Sequence, residues 1–209
     1  MSEMGEQWSP KMAPAKTPPT EATGRISFVE MVSVLDKEPK DIGYDATVTF
    51  YSARDELRYR APSDDRIDPG TGVICSPNNY ANDVPLAEGM MRATILADYE
   101  PWAAMEQEAY AQAKLDDYQR AQDLIATIVP DPRPHTVFTD IFTPRTIKHF
   151  TGHLNGAVYG SRIKRRDGSI GVENLHLCGT DQGLLGIIGS MLSGIMMANE
   201  HVLVGAGKP

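Results

Sequence analysis

The residues that most constrain this chain lie near its C-terminus, in Asn174-Leu-His-Leu-Cys-Gly-Thr-Asp-Gln-Gly-Leu-Leu-Gly-Ile-Ile-Gly-Ser-Met-Leu-Ser-Gly-Ile-Met-Met-Ala-Asn199. The pattern predicts a short buried strand, a glycine turn and then a buried helix over 184–198. That helix is uncharged and holds three glycines, but its 15 residues fall short of the roughly 20 needed to cross a bilayer. Gly186, Ser190, Gly194 and Ala198 recur every four residues, so a helix aligns them in one small-residue stripe. Each interior glycine costs about 1 kcal/mol relative to alanine, which close approach by another backbone or a flat ligand would offset. The helix start offers free N–H groups and the positive end of a dipole, suited to a polar ligand edge or an anion. The competing reading is a tight helix–sheet contact with Asp181 as a plain N-cap.

Upstream, short apolar runs alternate with turn signals and predict an α+β fold built on a mostly antiparallel sheet. Strands are expected over 26–35, 46–51, 72–76, 91–96 and 135–142, and a hairpin across 52–56 would pair 46–51 with 57–60. One long amphipathic helix is expected between about 103 and 129. Tyr110, Ala113, Ala121, Leu124, Ile125 and Ile128 share a face there, Asp117 interrupts it, and Pro130 stops it. Pro144 opens a short helix towards His149, and Asp167-Gly168 marks a hairpin turn between 157–163 and 170–178. The proline-bearing residues 1–23 read as a disordered tail, and the last residues 204–209 as a short tail.

Charge narrows the function classes. With 20 Lys and Arg against 28 Asp and Glu, the net charge of −8 has the wrong sign for nucleic acid as main partner. It also opposes broad adhesion to anionic membranes, leaving at most peripheral membrane contact. Two distant cysteines, Cys75 and Cys178, read as reduced thiols of a cytoplasmic compartment, and no apolar leader precedes the tail. No Gly-x-Ser-x-Gly elbow supports hydrolase chemistry. His149 and His153 are four apart, but Gly152 interrupts a helix between them and no third ligand stands nearby, so no metal site is assigned. Arg162, Lys164, Arg165 and Arg166 read first as a solvated turn, and otherwise as a local contact to anionic lipid or a partner.

Two segments carry a resemblance: Phe142-Thr-Pro-Arg-Thr-Ile-Lys-His-Phe-Thr-Gly-His-Leu-Asn-Gly-Ala-Val-Tyr-Gly160, and residues 174–199 quoted above. They resemble the C-terminal region of the FAD-dependent phytoene desaturase and carotenoid isomerase family, relatives of amine oxidases and retinol saturases. The likeness extends from about Gly24 to His201, through Gly24-Arg-Ile-Ser-Phe-Val-Glu30 and Gly72-Val-Ile-Cys-Ser-Pro-Asn-Asn79. It implies that the strand–Gly-x-Asp–helix, beginning at Gly179, closes a flavin site from its C-terminal side. It further implies Asp181 as acceptor for a ribityl hydroxyl, with Leu185, Gly186 and Ile187 as backbone neighbours of the isoalloxazine ring. Gly156-Ala-Val-Tyr-Gly160 would lie close to flavin and substrate. Residues 24–160 would then be a substrate-binding α+β region, and 161–203 the C-terminal segment of an FAD-binding domain. No catalytic acid or base is implied.

The family's Gly-x-Gly-x-x-Gly turn after a first strand is absent from these 209 residues, and Gly183, Gly186 and Gly189 have the wrong spacing for it. A Rossmann domain plus a substrate domain asks for roughly 300–400 residues. The expected function is therefore the C-terminal portion of a FAD-dependent oxidoreductase acting on a long apolar, carotenoid-like polyene, with FAD held only together with a separate FAD-binding chain or domain. The alternatives are a non-catalytic binding module for an apolar lipid or polyene, and a decayed remnant that aggregates.

Overall fold

The structure, a computed structural model, describes residues 22–203. The expected tails at 1–21 and 204–209 lie outside the described residues. Ala22, assigned to the tail from sequence, is held in place: its carbonyl accepts the Arg162 N–H at 2.9 Å and the Ser161 hydroxyl at 2.6 Å.

Strand β1 (Ser27–Leu35) is apolar on both parities, which suits an interior strand covered on both faces. It pairs antiparallel with β4 (Gly89–Ala97) on one side and β5 (Thr136–Phe142) on the other. Strands β2 (Val48–Ser52) and β3 (Ile67–Cys75) extend the sheet in the order β2-β3-β4-β1-β5, antiparallel throughout. The α+β class with an antiparallel sheet stands. The first hairpin differs from expectation: β2 pairs with β3, and residues 57–60 form no strand. Those residues instead run as a loop whose Leu57 and Tyr59 overlie the sheet edge.

One face of the sheet is the core. Val29, Met31, Leu35, Ile67, Ile74 and Ile95 bury against Ala113, Tyr118, Ala121 and Ile125 of α2 (Gln107–Ile125) and Trp102 of α1 (Tyr99–Ala103). Each such side chain contributes about 1.5–3 kcal/mol when removed from water. The long helix expected between about 103 and 129 forms over the shorter span of α2, and α1 precedes it as a separate turn, with Trp102 fully buried and meeting Tyr110 edge-on across the gap at 5.8 Å. Asp117 fits a buried face because Arg66 forks onto it at 2.9 and 3.0 Å, and Arg120 lies 3.5 Å away. Between sheet and helix, the Ser33 and Tyr118 hydroxyls bond at 3.0 Å.

Helix α3 (Pro144–Thr151) begins at the expected proline, capped reciprocally by Thr143 and Thr146. Beyond it the sequence expectations give way. The strands anticipated at 157–163 and 170–178 do not form; a lone bridge between Ser169 and His176 is the extent of pairing. Left-handed backbone at Gly171 and Asn174 (φ 78° and 59°) breaks the extended run before a ladder can grow. Cys178 is consequently exposed, not buried in a strand. Helix α4 (Gly186–Ala198) forms two residues later than expected and is not buried in this chain: Ile187 is 84% and Ile188 74% exposed. Its apolar residues find no sheet to pack on, because the strand that would have carried them there is absent. No helix among the described residues is long and apolar enough to cross a membrane.

Candidate functional site

The sheet's second face is the first part of the site. Alternation along β1 puts Phe28 on it, and the register sets Phe28 beside Leu96, Thr94 beside Val73, and Val73 beside Phe50. With Leu57 and Tyr59 from the loop, these side chains line an apolar groove of about 550 Å³. Glu30, in the same row of the face as Thr94, accepts the Arg92 Nε–H at 2.6 Å and the Thr94 hydroxyl, so its charge is neutralised where it meets the apolar floor. The groove's Tyr51 and Tyr59 phenols are held neutral: burial is the main cause in both, and the neighbouring Tyr159 hydroxyl helps push Tyr59 up to about 12.

The second part is the turn region that follows Gly156. Tyr159 meets Phe28 edge-on at 6.0 Å, which ties residues 156–160 to the end of the groove. Its carbonyl accepts Lys164 Nζ, whose ammonium also donates to the Thr180 carbonyl at 3.0 Å. Lys164 of the basic cluster is therefore a strut inside the turn. Asp181 Oδ1 accepts the Ser161 N–H at 2.5 Å, and the Asp181 carbonyl accepts the Arg165 N–H at 2.9 Å. Gly160, at φ 65°, has to be glycine: a Cβ there would stand 2.0 Å from Asp181 Oδ1. Helix α4 is fastened by polar groups. The fully buried Ser193 hydroxyl accepts the Gly179 N–H at 2.6 Å and donates to Gln182 Oε1, while Gln182 Nε2 donates to the Arg166 carbonyl at 2.6 Å.

The residues singled out from sequence fall into two neighbouring concavities. Gly186 and Ile187, with Val158, Tyr159, Thr180, Ser190 and Met191, surround an open surface concavity of about 680 Å³ at the start of α4. Asp181 instead lines a cavity of about 200 Å³ with Gly24, His153, Ala157 and Ser161. Gly179 (φ 97°) opens the tight turn between them, and Leu185 is the exposed N-cap residue of α4. Asp181 does not cap α4, which corrects the plain-capping expectation; four residues separate it from the helix start, and no side chain caps Leu185. The first N–H groups of α4 are thus free of a side-chain acceptor, and a Cβ placed on Gly186 or Gly194 would touch nothing within 4 Å. The small residues face open space, not a helix–sheet contact.

These features fit one edge of a flat polar ring: free N–H groups at the helix start, a left-handed Gly186 (φ 73°) and a bare concave surface. His149 and His153 do not share a helix face, since Gly152 at φ 71° ends α3 between them and His153 Nδ1 lies 2.8 Å from the Ala157 carbonyl. Sequence reasoning misses the groove side chains Phe28, Phe50, Leu57, Tyr59, Val73 and Leu96. One signal for them is present: Phe28 and Phe50 occupy the parity opposite to the core residues of their strands, which asks for cover on a second face.

Comparison with protein-family models and with curated proteins returned no match for this chain.

Proposed function

We propose that this chain is the C-terminal, substrate-side portion of a FAD-dependent oxidoreductase acting on a long apolar polyene, with the dinucleotide-binding half supplied by other polypeptide. The observation that carries the reading is the position of Tyr159. It borders the concavity at the start of α4 and packs on Phe28 of the apolar groove, so a ring at one would lie next to a chain in the other. The exposed apolar side of α4 supports a second polypeptide covering it, since a soluble surface rarely leaves such a patch bare. A bound flavin would accept or return the electrons, and the protein's share is geometry and exclusion of water. In that arrangement Gly186 and Ile187 border the ring edge through backbone groups. Asp181, with one oxygen engaged by Ser161, holds the turn and offers its second oxygen to a ribityl hydroxyl. Phe28, Val73 and Leu96 hold the apolar chain.

The test is co-expression with a dinucleotide-binding polypeptide encoded upstream, followed by purification and flavin absorbance. A yellow complex is expected. In it, Gly186→Val should abolish flavin retention, because a branched side chain fills the concavity at the helix start. Asp181→Ala should weaken retention by about 0.5–1.5 kcal/mol, the worth of one hydrogen bond. A colourless complex, or unchanged flavin content in both variants, defeats the reading. A second reading is favoured by one specific observation: the groove is lined wholly by the sheet and the 57–59 loop, with no contribution from the turn region or α4. On that reading the chain is a non-catalytic carrier for an apolar lipid or polyene, and the purified lone chain would show polyene absorbance without flavin bands.

A further inference from the structure

The groove has a charged end. Tyr59 lines the apolar groove and also a neighbouring cavity of about 580 Å³ bounded by Arg25, Arg60, Arg162 and Asp98. Ile26, just before β1, lines this second cavity. Arg25 lies 3.7 Å from Asp98, leaving three guanidinium groups against one carboxylate. Arg60 and Arg162 form no ion pair among the described residues. In a chain of net charge −8, two arginines without an ion pair among the described residues form a local field of the opposite sign at the mouth of an apolar groove. A guanidinium fork matches carboxylate and phosphate oxygens in pairs, which a hydrocarbon end would waste.

We propose that the groove takes an apolar chain ending in an anion, a carboxylate or a phosphate ester, with the chain on Phe28, Val73 and Leu96 and the anion between Arg60 and Arg162. This rests on the groove being the substrate site, and it replaces a pure hydrocarbon by an anionic amphiphile as the ligand class. It holds for the oxidoreductase portion and the carrier alike.

The experiment loads the full chain with cis-parinaric acid, a fluorescent polyene carboxylate, and displaces it with hexadecanoate, hexadecyl phosphate and hexadecanol below their aggregation concentrations. At least one anion is expected to displace the probe at about tenfold lower concentration than the alcohol, with the advantage shrinking as salt rises. The better of the two anions identifies the head group. In the double variant Arg60→Gln, Arg162→Gln the three competitors should become equal while hexadecanol keeps its wild-type affinity, which also shows that the variant is folded. Equal displacement by all three in the wild type, or a preference that survives in the double variant, overturns the proposal. A probe that does not bind the wild type at all overturns it too, and leaves the flavin reading to its own absorbance measurement.

Discussion

The sheet layer and the segment from Gly160 to Leu203 are built by opposite means. In the sheet layer, apolar side chains on one face of five paired strands bury against α1 and α2, and the buried charge of Asp117 is matched by Arg66. In the C-terminal segment the buried side chains are the polar Gln182 and Ser193 with Met197, while the other large apolar residues of α4 are exposed. No ion pair among the described residues involves 160–203. The difference teaches that the first region completes its own core, whereas the second holds its shape through hydrogen bonds and keeps its apolar surface for something else.

The contrast is broken most directly by matched isoleucine substitutions. Ile95→Ala, at a fully buried position, should lower unfolding free energy by about 2–5 kcal/mol, whereas Ile188→Ser on α4 should leave chemical denaturation of the lone chain unmoved and reduce its self-association. Equal losses would mean that α4 is part of the core after all. A smaller effect is expected from Ser193→Ala, which leaves Gln182 Oε1 and the Gly179 N–H without their partner. That loss costs about 1–3 kcal/mol locally, seen as faster amide exchange across α4 with the thermal midpoint of the sheet layer unchanged. The smallest effect concerns pH. Arg133 grips Asp131 through side-chain hydrogen bonds, with Asp123 2.5 Å away on α2, and these bonds hold the Asp131 carboxyl below its usual range. A carboxylate whose pKa is depressed on folding stabilises the fold above its ordinary pKa near 3.8, and the gain is lost as pH falls through the lowered value. Asp131→Asn should therefore lower stability at pH 7 by less than about 1 kcal/mol, with the difference from wild type shrinking as pH falls below the ordinary carboxylate range.

Much of the sheet layer is legible in the sequence. Runs of β-branched and large apolar residues at 26–35 and 91–96, a proline at the start of α3 and apolar residues at helical spacing around Ala113 and Ile125 are local signals, and the structure follows them. Asp117 marks where legibility stops, because a carboxylate on a helix's buried face makes sense only once Arg66, 51 residues earlier, is known to reach it. The candidate site is less legible. The resemblance groups Gly186, Ile187 and Asp181 in one site, but Asp181 lines the neighbouring cavity, an outcome decided by the fold of the turn.

By itself the sequence determined the α+β class, most strands and helices, and the small-residue start of α4, because each depends on periodicity or turn chemistry within a dozen residues. Only the tertiary structure decided which strand β2 pairs with, that α4 lies bare, and that Tyr59 joins an apolar groove to Arg60 and Arg162. Those outcomes depend on partners far apart in the chain, and on left-handed backbone at Gly171 and Asn174 that no hydrophobic pattern encodes.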